Sequence, residues 1–470
     1  MQIRRTLAAL GTGLLLTRPT LAIELDVNSE DSLKNAASIA TYGAFTYYSG
    51  NDSGGIPGAF PSKWYEGAAL FIVALNYWHY TGDDTYNAIT AEGLEWQSGP
   101  QGDYMPTNYS QFLGNDDQMF WGIAAITAAE MNLPQAPSSY GTWDWLALAE
   151  GVFRDQTNGD GVGWDTSTCG GGVRWQKFFY QGGGYTMKNS ISNGGLFQLV
   201  ARLYRYTGNS EYKDWAEKIW NWSVNSPLVN NQTWNVADST ETQDGCTSQG
   251  NTQYSYNYGT YLMGAAFMYN STTGAEQEQW ATAVYGLANQ TLEIFFPQQY
   301  NYVMFELSCD GFITSCFDSN NFLMKGWTTS WLALTATLVP QTYSQILPKL
   351  QASAGGAAKA CSGSTLGGNE CGESWVTGSF DGRAGMEPEI SAGNCFAANL
   401  VAFSNNIARG PLTQTTGGNS QGNPNAGKND NNGGNTMQPI TTGDRAGAGI
   451  LTAIFVPGWV ALMAWMILFE

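Results

Sequence analysis

Apolar residues recur every three to four positions over long stretches of this chain, and strict apolar–polar alternation is scarce. That period predicts helices over residues 31–48, 68–77, 119–131, 143–153, 196–204, 212–220, 261–268, 276–294 and 322–338. Several come in pairs. Tyr80-Thr81-Gly82-Asp83-Asp84-Thr85-Tyr86 is matched by Tyr206-Thr207-Gly208-Asn209-Ser210-Glu211-Tyr212, and Tyr269 through Thr273-Gly274 is a looser third copy. Glycine closes one helix and a short polar side chain opens the next, so the unit is a helical hairpin used repeatedly. Repeated hairpins build an open solenoid or a closed toroid. Two long Gly-rich, aromatic inserts, 155–190 and 361–395, favour an all-α toroid whose loops form a cleft at one end.

Both ends depart from this pattern. Residues 1–22 carry Arg4 and Arg5, an apolar run and Thr20-Leu21-Ala22, the layout of a secretory signal, which leaves 23–405 as the folded domain. Residues 406–448 are Gly, Asn, Thr and Gln with few large apolar side chains, so a flexible stalk is expected there. The final apolar run, 449–470, is long enough for a spanning helix. Small residues at Asn432-Gly433-Gly434 followed by a polar spacer make it read instead as a GPI signal, replaced by a lipid that is then the sole membrane contact. Secretion agrees with six Asn-x-Ser/Thr sequons, at Asn51, Asn108, Asn221, Asn231, Asn270 and Asn289. It also agrees with seven cysteines, of which Cys309 with Cys316 and Cys361 with Cys371 are close enough to bridge locally. Cys169, Cys246 and Cys395 leave one thiol over, and the pairing stays open.

Composition narrows the chemistry. A formal charge of −19 with few Lys and Arg argues against nucleic acid or an anionic surface as partner. One histidine, His79, removes poly-His zinc sites and has no nucleophile motif beside it for a Ser-His-Asp arrangement. Gly170-Gly171-Gly172 and Gly182-Gly183-Gly184 lack the spacing of a phosphate loop. Asp155 to Gly161 looks like a calcium loop but has Thr166 where the closing Glu belongs, so neither metal nor cofactor is expected. Carboxylates remain. With 13% aromatic residues they suit a carbohydrate site, because sugar rings present apolar faces to Trp and Tyr.

The strongest carboxylate signal is Asp116-Asp117 inside Gly114-Asn115-Asp116-Asp117-Gln118, at the mouth of a predicted helix. Its plainest role is capping: Asn115 or Asp116 as cap, Asp117 against the helix dipole. Its chemical role follows from charge. Adjacent carboxyls penalise each other's ionisation, so one holds a proton while the other stays anionic, the division that glycosidic cleavage requires. Neighbouring residues on a helix point about a hundred degrees apart, so both reach one sugar only at a helix start, with a gap near the ~5–5.5 Å of retaining enzymes.

The Gly-Asn-Asp-Asp-Gln segment resembles the signature of glycoside hydrolase family 76, the endo-1,6-α-mannanases. Lys63-Trp64-Tyr65-Glu66-Gly67-Ala68, Gly163-Trp164-Asp165, Lys188 through Gly194, and Tyr256-Asn257-Tyr258-Gly259 resemble the same family. The flanking signal, stalk and anchor are similar to its fungal cell-wall branch. The resemblance implies an (α/α)6 barrel and a retaining mechanism, with Asp116 as nucleophile and Asp117 as general acid/base. It implies a donor of α-1,6-mannan or GPI-glycan mannose, a β-glucan acceptor for transglycosylation, and a location at the outer membrane face or in the wall. Trp64, Tyr65 and Trp327 are candidate stacking platforms, Asp165 and Asn193 candidate hydroxyl ligands, and Asn115, Gln118, Asn257 and Tyr258 further candidate substrate-binding residues. A non-catalytic glycan-binding wall protein is the alternative of a different class. A lyase on acidic polysaccharide comes last, since a polyanion is a poor partner for so acidic a chain.

Overall fold

Stretches such as Ala68 to Leu75 and Gly122 to Ala129 are apolar or small on every side, which suits a helix buried all round rather than a surface helix. In a computed structural model of the chain they form the inner wall of a closed ring. The structure describes residues 22–60, 63–136, 143–159, 162–310, 316, 320–403 and 410–428, with a few isolated positions between 452 and 459. Twelve of the described helices have ten residues or more: α1 (Glu30–Phe45), α2 (Tyr65–Thr81), α3 (Asn87–Trp96), α4 (Asn115–Glu130), α5 (Trp145–Thr157), α6 (Ser190–Thr207), α7 (Ser210–Asn225), α8 (Ser255–Ser271), α9 (Gly274–Phe295), α10 (Asn320–Leu338), α11 (Tyr343–Ala360) and α12 (Met386–Asn399).

The even-numbered helices pack on one another in the order α2, α4, α6, α8, α10, α12 and back to α2, while the odd-numbered ones lie outside them. This is an (α/α)6 barrel. Small residues let the inner helices approach: a Cβ on Gly195 would meet the Met119 sulfur at 2.4 Å, and one on Gly264 the Phe197 ring at the same distance. Two hairpin turns close on glycine in the left-handed region, Gly82 (φ 80°) and Gly208 (φ 71°), as their matching sequences predict.

Two expectations are corrected. Residues 386–395, read as part of an insert, belong to the inner helix α12, and α11 was not expected at all. Pro348 and Gly355-Gly356 interrupt the helical pattern in α11, and α12 is built of small side chains whose buried face is set by neighbours rather than by an amphipathic stripe.

The second correction is the stalk. Residues 410–428 are strapped to the barrel: Leu412 N–H donates to Glu130 O (2.9 Å), Gln414 N–H to Tyr206 O (3.0 Å) and Gly427 N–H to Gln101 O (2.8 Å). Arg154 Nη1 donates to the carbonyls of Asn423 and Ala426, both at 2.8 Å, and Ser420 Oγ joins Asp144 to the α5 backbone. A segment poor in large apolar residues can still be ordered when the folded body satisfies its backbone polar groups. A soluble form ending at residue 409 should therefore unfold several degrees below one ending at 428 in differential scanning calorimetry, because these seven bonds at ~0.5–1.5 kcal/mol each are lost. Equal midpoints would mean the strap is passive.

The signal segment through residue 21 and the attachment residues Asn432, Gly433 and Gly434 lie outside the described residues. No helix among the described residues is long and apolar enough to cross a membrane. All six sequon asparagines are exposed. Disulfides join Cys169 to Cys246, Cys309 to Cys316 and Cys361 to Cys371, and Cys395 is a buried free thiol.

Candidate active site

The inner helices run parallel, so their N-terminal ends gather at one mouth of the barrel. Tyr65 opens α2, Asp116 and Asp117 open α4, Asn189 caps α6, Tyr254 and Tyr256 open α8, and Asn320 and Asn321 open α10. Together with Asp238 and with Trp175, Gln176 and Met187 of the insert they wall a cleft of about 320 Å³. Five positive dipole ends around one cavity favour negative charge there.

Gly114 caps α4 in extended geometry, and its N–H donates to Asp117 Oδ2 at 2.7 Å. Asp117 is thus both a helix cap and a wall of the cleft. Asp116 Oδ1 accepts the Asp117 N–H (3.0 Å), and its Oδ2 accepts the indole N–H of Trp175 (2.9 Å). Burial, and then the charge of Asp117, push Asp116 well above the ordinary carboxyl range, opposed by those two donors. Burial likewise pushes Asp117 up to about 6, opposed by the Gly114 N–H. The two carboxyls therefore share a proton in the acid-to-neutral range and titrate as a pair. Burial also raises Asp238, a third carboxyl on the wall.

An aromatic floor lies beside the pair: the Trp327 ring stacks on Phe120 at 4.2 Å and on Tyr256 at 6.2 Å, while Tyr65 leans on Phe120 and donates its hydroxyl to Asn320. A second groove of about 290 Å³, with Lys63, Trp64, Tyr109 and Phe112, shares Tyr65, Asp117 and Asn320 with the first. Asp117 stands where the two meet.

Of the residues singled out from sequence, the structure brings Asp116, Asp117, Tyr65 and Trp327 together on the cleft. Trp64 borders only the second groove, stacked on Trp121 with its indole N–H on Gln97 Oε1. Six others are corrected: they lie behind the wall. Asn115 Nδ2 donates to Arg174 O, Asn193 binds both backbone groups of Val173, and Asp165 pairs with Arg174 and Lys188. Gln118 reaches Asp103 O and Asp155 Oδ2, Asn257 donates to Asp238 Oδ1, and Tyr258 bonds Gln253. All six are buried supports, not surfaces a sugar can touch. Phe120, Trp175, Gln176, Met187, Asn189, Asp238, Tyr254, Tyr256, Asn320, Asn321 and Met324 also line the wall, and sequence reasoning does not single them out. Asn189 and Tyr256 sit in the very segments quoted, one turn or one residue from the positions chosen. Trp175 and Asp238 belong to loops with no local signal. Among the described residues no group of three or more His, Cys, Asp or Glu could hold a metal ion.

A carboxyl pair at a helix start, set in an aromatic cleft on a ring of helical hairpins, defines a glycosidic-bond enzyme. The family comparison is specific: residues 32–414 match the model of glycosyl hydrolase family 76, and the chain belongs to that family. It is 39% identical to the Saccharomyces cerevisiae protein named mannan endo-1,6-alpha-mannosidase DCW1, over 99% of this chain and 100% of that one. The crystal structure of Dfg5 from Chaetomium thermophilum in complex with glucosamine superposes with a TM-score of 0.78 at 36% identity, covering 86% of this chain and 97% of that one. An inactive variant of a Salegentibacter alpha-1,6-mannanase in complex with alpha-1,6-mannotetrose shares the fold, with a TM-score of 0.61 at 17% identity over 79% of this chain and 99% of that one.

Proposed function

We propose that this protein is a retaining enzyme of the mannan endo-1,6-α-mannosidase type that acts on α-mannosides and passes the released glycosyl group to a sugar acceptor. The observation that carries this reading is the Asp116–Asp117 pair at the start of α4, both residues lining one cleft with Trp175 bonded to Asp116. The Asp116 carboxylate, steadied by the Trp175 indole and the Asp117 N–H, attacks the anomeric carbon. The bond to the leaving oxygen breaks as Asp117 delivers its proton to that oxygen, and a glycosyl ester forms on Asp116. Asp117, now a carboxylate, takes a proton from water or an acceptor hydroxyl as the oxygen of that molecule attacks the anomeric carbon, and the bond from that carbon to Asp116 breaks to free the carboxylate.

The names of the relatives support a mannoside donor. A glucosamine complex in a relative fits a donor glycan that contains that sugar, as the GPI core does. The layout of the chain ends supports secretion and a GPI lipid, and with them a site of action at the outer membrane face or wall, where β-glucan is an available acceptor.

Intact-protein mass spectrometry after incubation with a fluorinated α-mannosyl donor tests the central step, using a form that ends at residue 428. A mannosyl adduct on Asp116, absent from Asp116→Ala, is expected. No adduct across such donors, with mannan binding retained by the wild type, would instead favour a glycan-binding protein.

A further inference from the structure

Strand β1 (Met187–Asn189) pairs antiparallel with β2 (Ser239–Glu241) and sends Met187 and Asn189 to the cleft. Side chains alternate along a strand, so Lys188 between them points the other way. Its side chain is fully buried. Nothing in the catalytic steps above uses it, yet a desolvated ammonium is expensive unless it is fully partnered.

Its partners are oxygens of one turn. Nζ donates to the carbonyls of Gly171 (2.5 Å), Thr168 (2.8 Å) and Asp165 (3.2 Å), and Asp165 Oδ2 lies 3.3 Å away. Three carbonyls and a carboxylate around one cation form the kind of oxygen cage a loop builds for a hard metal ion. Here the cation is covalently part of the neighbouring strand. The turn is wound tightly: a Cβ on Gly172 (φ 85°) would meet the Trp222 ring at 2.4 Å. Against the cost of burial, donors from Ser167 and Thr168 and the charges of Lys188 and Arg174 hold Asp165 well below the usual carboxyl range, so it stays anionic beside the ammonium.

From this cage the chain runs directly to the nucleophile. Val173 is held by Asn193, and the carbonyls of Arg174 and Trp175 accept from Asn115 Nδ2 and Asn115 N–H, both at 2.8 Å. Trp175 N–H donates to Met187 O, one residue from Lys188, and its indole N–H reaches Asp116. We infer that Lys188 is a positioning residue: an internal cation that shapes the 165–172 turn so that Trp175 delivers its indole N–H to Asp116. The inference rests on the reading of Asp116 as nucleophile.

The other titratable groups on the cleft with Asp116 are Asp117 on its own helix, Tyr254 and Tyr256 at the start of α8 and Asp238 before β2, with Tyr65 on α2 facing Asp117. Among its neighbours Trp175 is the one whose placement depends on the cage. Losing its N–H removes one of two donors to the anion, so Asp116 should hold its proton to higher pH.

The test compares wild type with Lys188→Met, Trp175→Phe and the double variant. The indole N–H resonance missing from Trp175→Phe identifies Trp175, and in Lys188→Met it should move towards the position of a weakly bonded indole. The acid limb of kcat/KM should rise by about one pH unit in each single variant and no further in the double. An unmoved resonance with an unmoved limb, or shifts that add, would overturn the inference and leave Lys188 as scaffold. If Lys188→Met does not fold, the wild type decides: burial lowers Lys188 to about 8, so the Trp175 resonance should show a step there. Its absence rejects the inference. If the wild type shows no turnover, the catalytic reading fails on its own while the resonance still reports on the placement of Trp175.

Discussion

Asp117→Asn is expected to lower kcat/KM about 10²–10⁴-fold on substrates with poor leaving groups and to abolish the alkaline limb of the pH profile. The limb arises because Asp117 must carry a proton to the leaving oxygen. Burial keeps that proton on up to about pH 6, so activity should fall as pH rises through that value and return on acidification. Asparagine fills the same space but has no acidic proton. It can still accept the Gly114 N–H through its amide oxygen, so the cap of α4 survives and thermal stability should change little. On a donor with a good leaving group the first step needs no acid, and the variant should accumulate the Asp116 ester. Azide, which needs no base, should then restore turnover by attacking that ester. A variant that keeps the alkaline limb near 6, or that azide does not rescue, would assign the acid/base role elsewhere, with Asp238, the remaining carboxyl on the cleft wall, as the candidate.

Lys325→Met carries the largest expected loss of stability, about 3–5 kcal/mol. Lys325 on α10 is completely buried and bridges Asp310 (3.1 Å) and Glu373 (2.5 Å), which are themselves completely buried. Against the cost of burial, those two charges hold the ammonium above its ordinary value. Burial, even with Lys325 opposing it, lifts Glu373 to about 8 and neighbouring Glu306 to about 7. A group whose pKa is raised by folding stabilises fully below its unfolded value near 4.5, and that contribution is lost as pH rises through the folded value. Removing the one ammonium that opposes this lifts the carboxyls further. The penalty of Lys325→Met should therefore be small at pH 5, where the acids can be neutral, and large at pH 8. Unfolding midpoints at the two pH values measure it, and equal penalties would show that packing rather than charge dominates the site. Lys325 follows Met324, a residue of the cleft wall, on the same helix, so residual activity should fall with the same pH dependence.

The helical hairpins and the acidic pair are legible in sequence because their signals are local. Gly82 and Gly208 close helices through their own backbone freedom, and Asp116-Asp117 announces a helix start through its immediate neighbours. Exposure of the sequons is equally local, since a polar Asn-x-Ser/Thr triplet is costly to bury. Helices α11 and α12 were hidden because their faces are defined by what the ring presses against them, Pro348 and small side chains having erased the periodic stripe.

The cleft wall divides the same way. Tyr256 lines it while Asn257 and Tyr258 do not, although one segment carries all three and a single residue separates the first two. A step of one residue turns a helical side chain by about a hundred degrees, and only closure of the ring decides which of those directions is inward. Asn115, Asp165 and Asn193 carry the residue types a sugar site uses, yet here they hold the insert that presents Trp175. By itself the sequence determined the helical class, the repeating unit and the carboxyl pair, because each depends on residues within a few positions of one another. The tertiary structure decided which polar side chains face the substrate and which support them, because that wall is gathered from the starts of separate helices between Tyr65 and Trp327, and no pattern along the chain records where they meet.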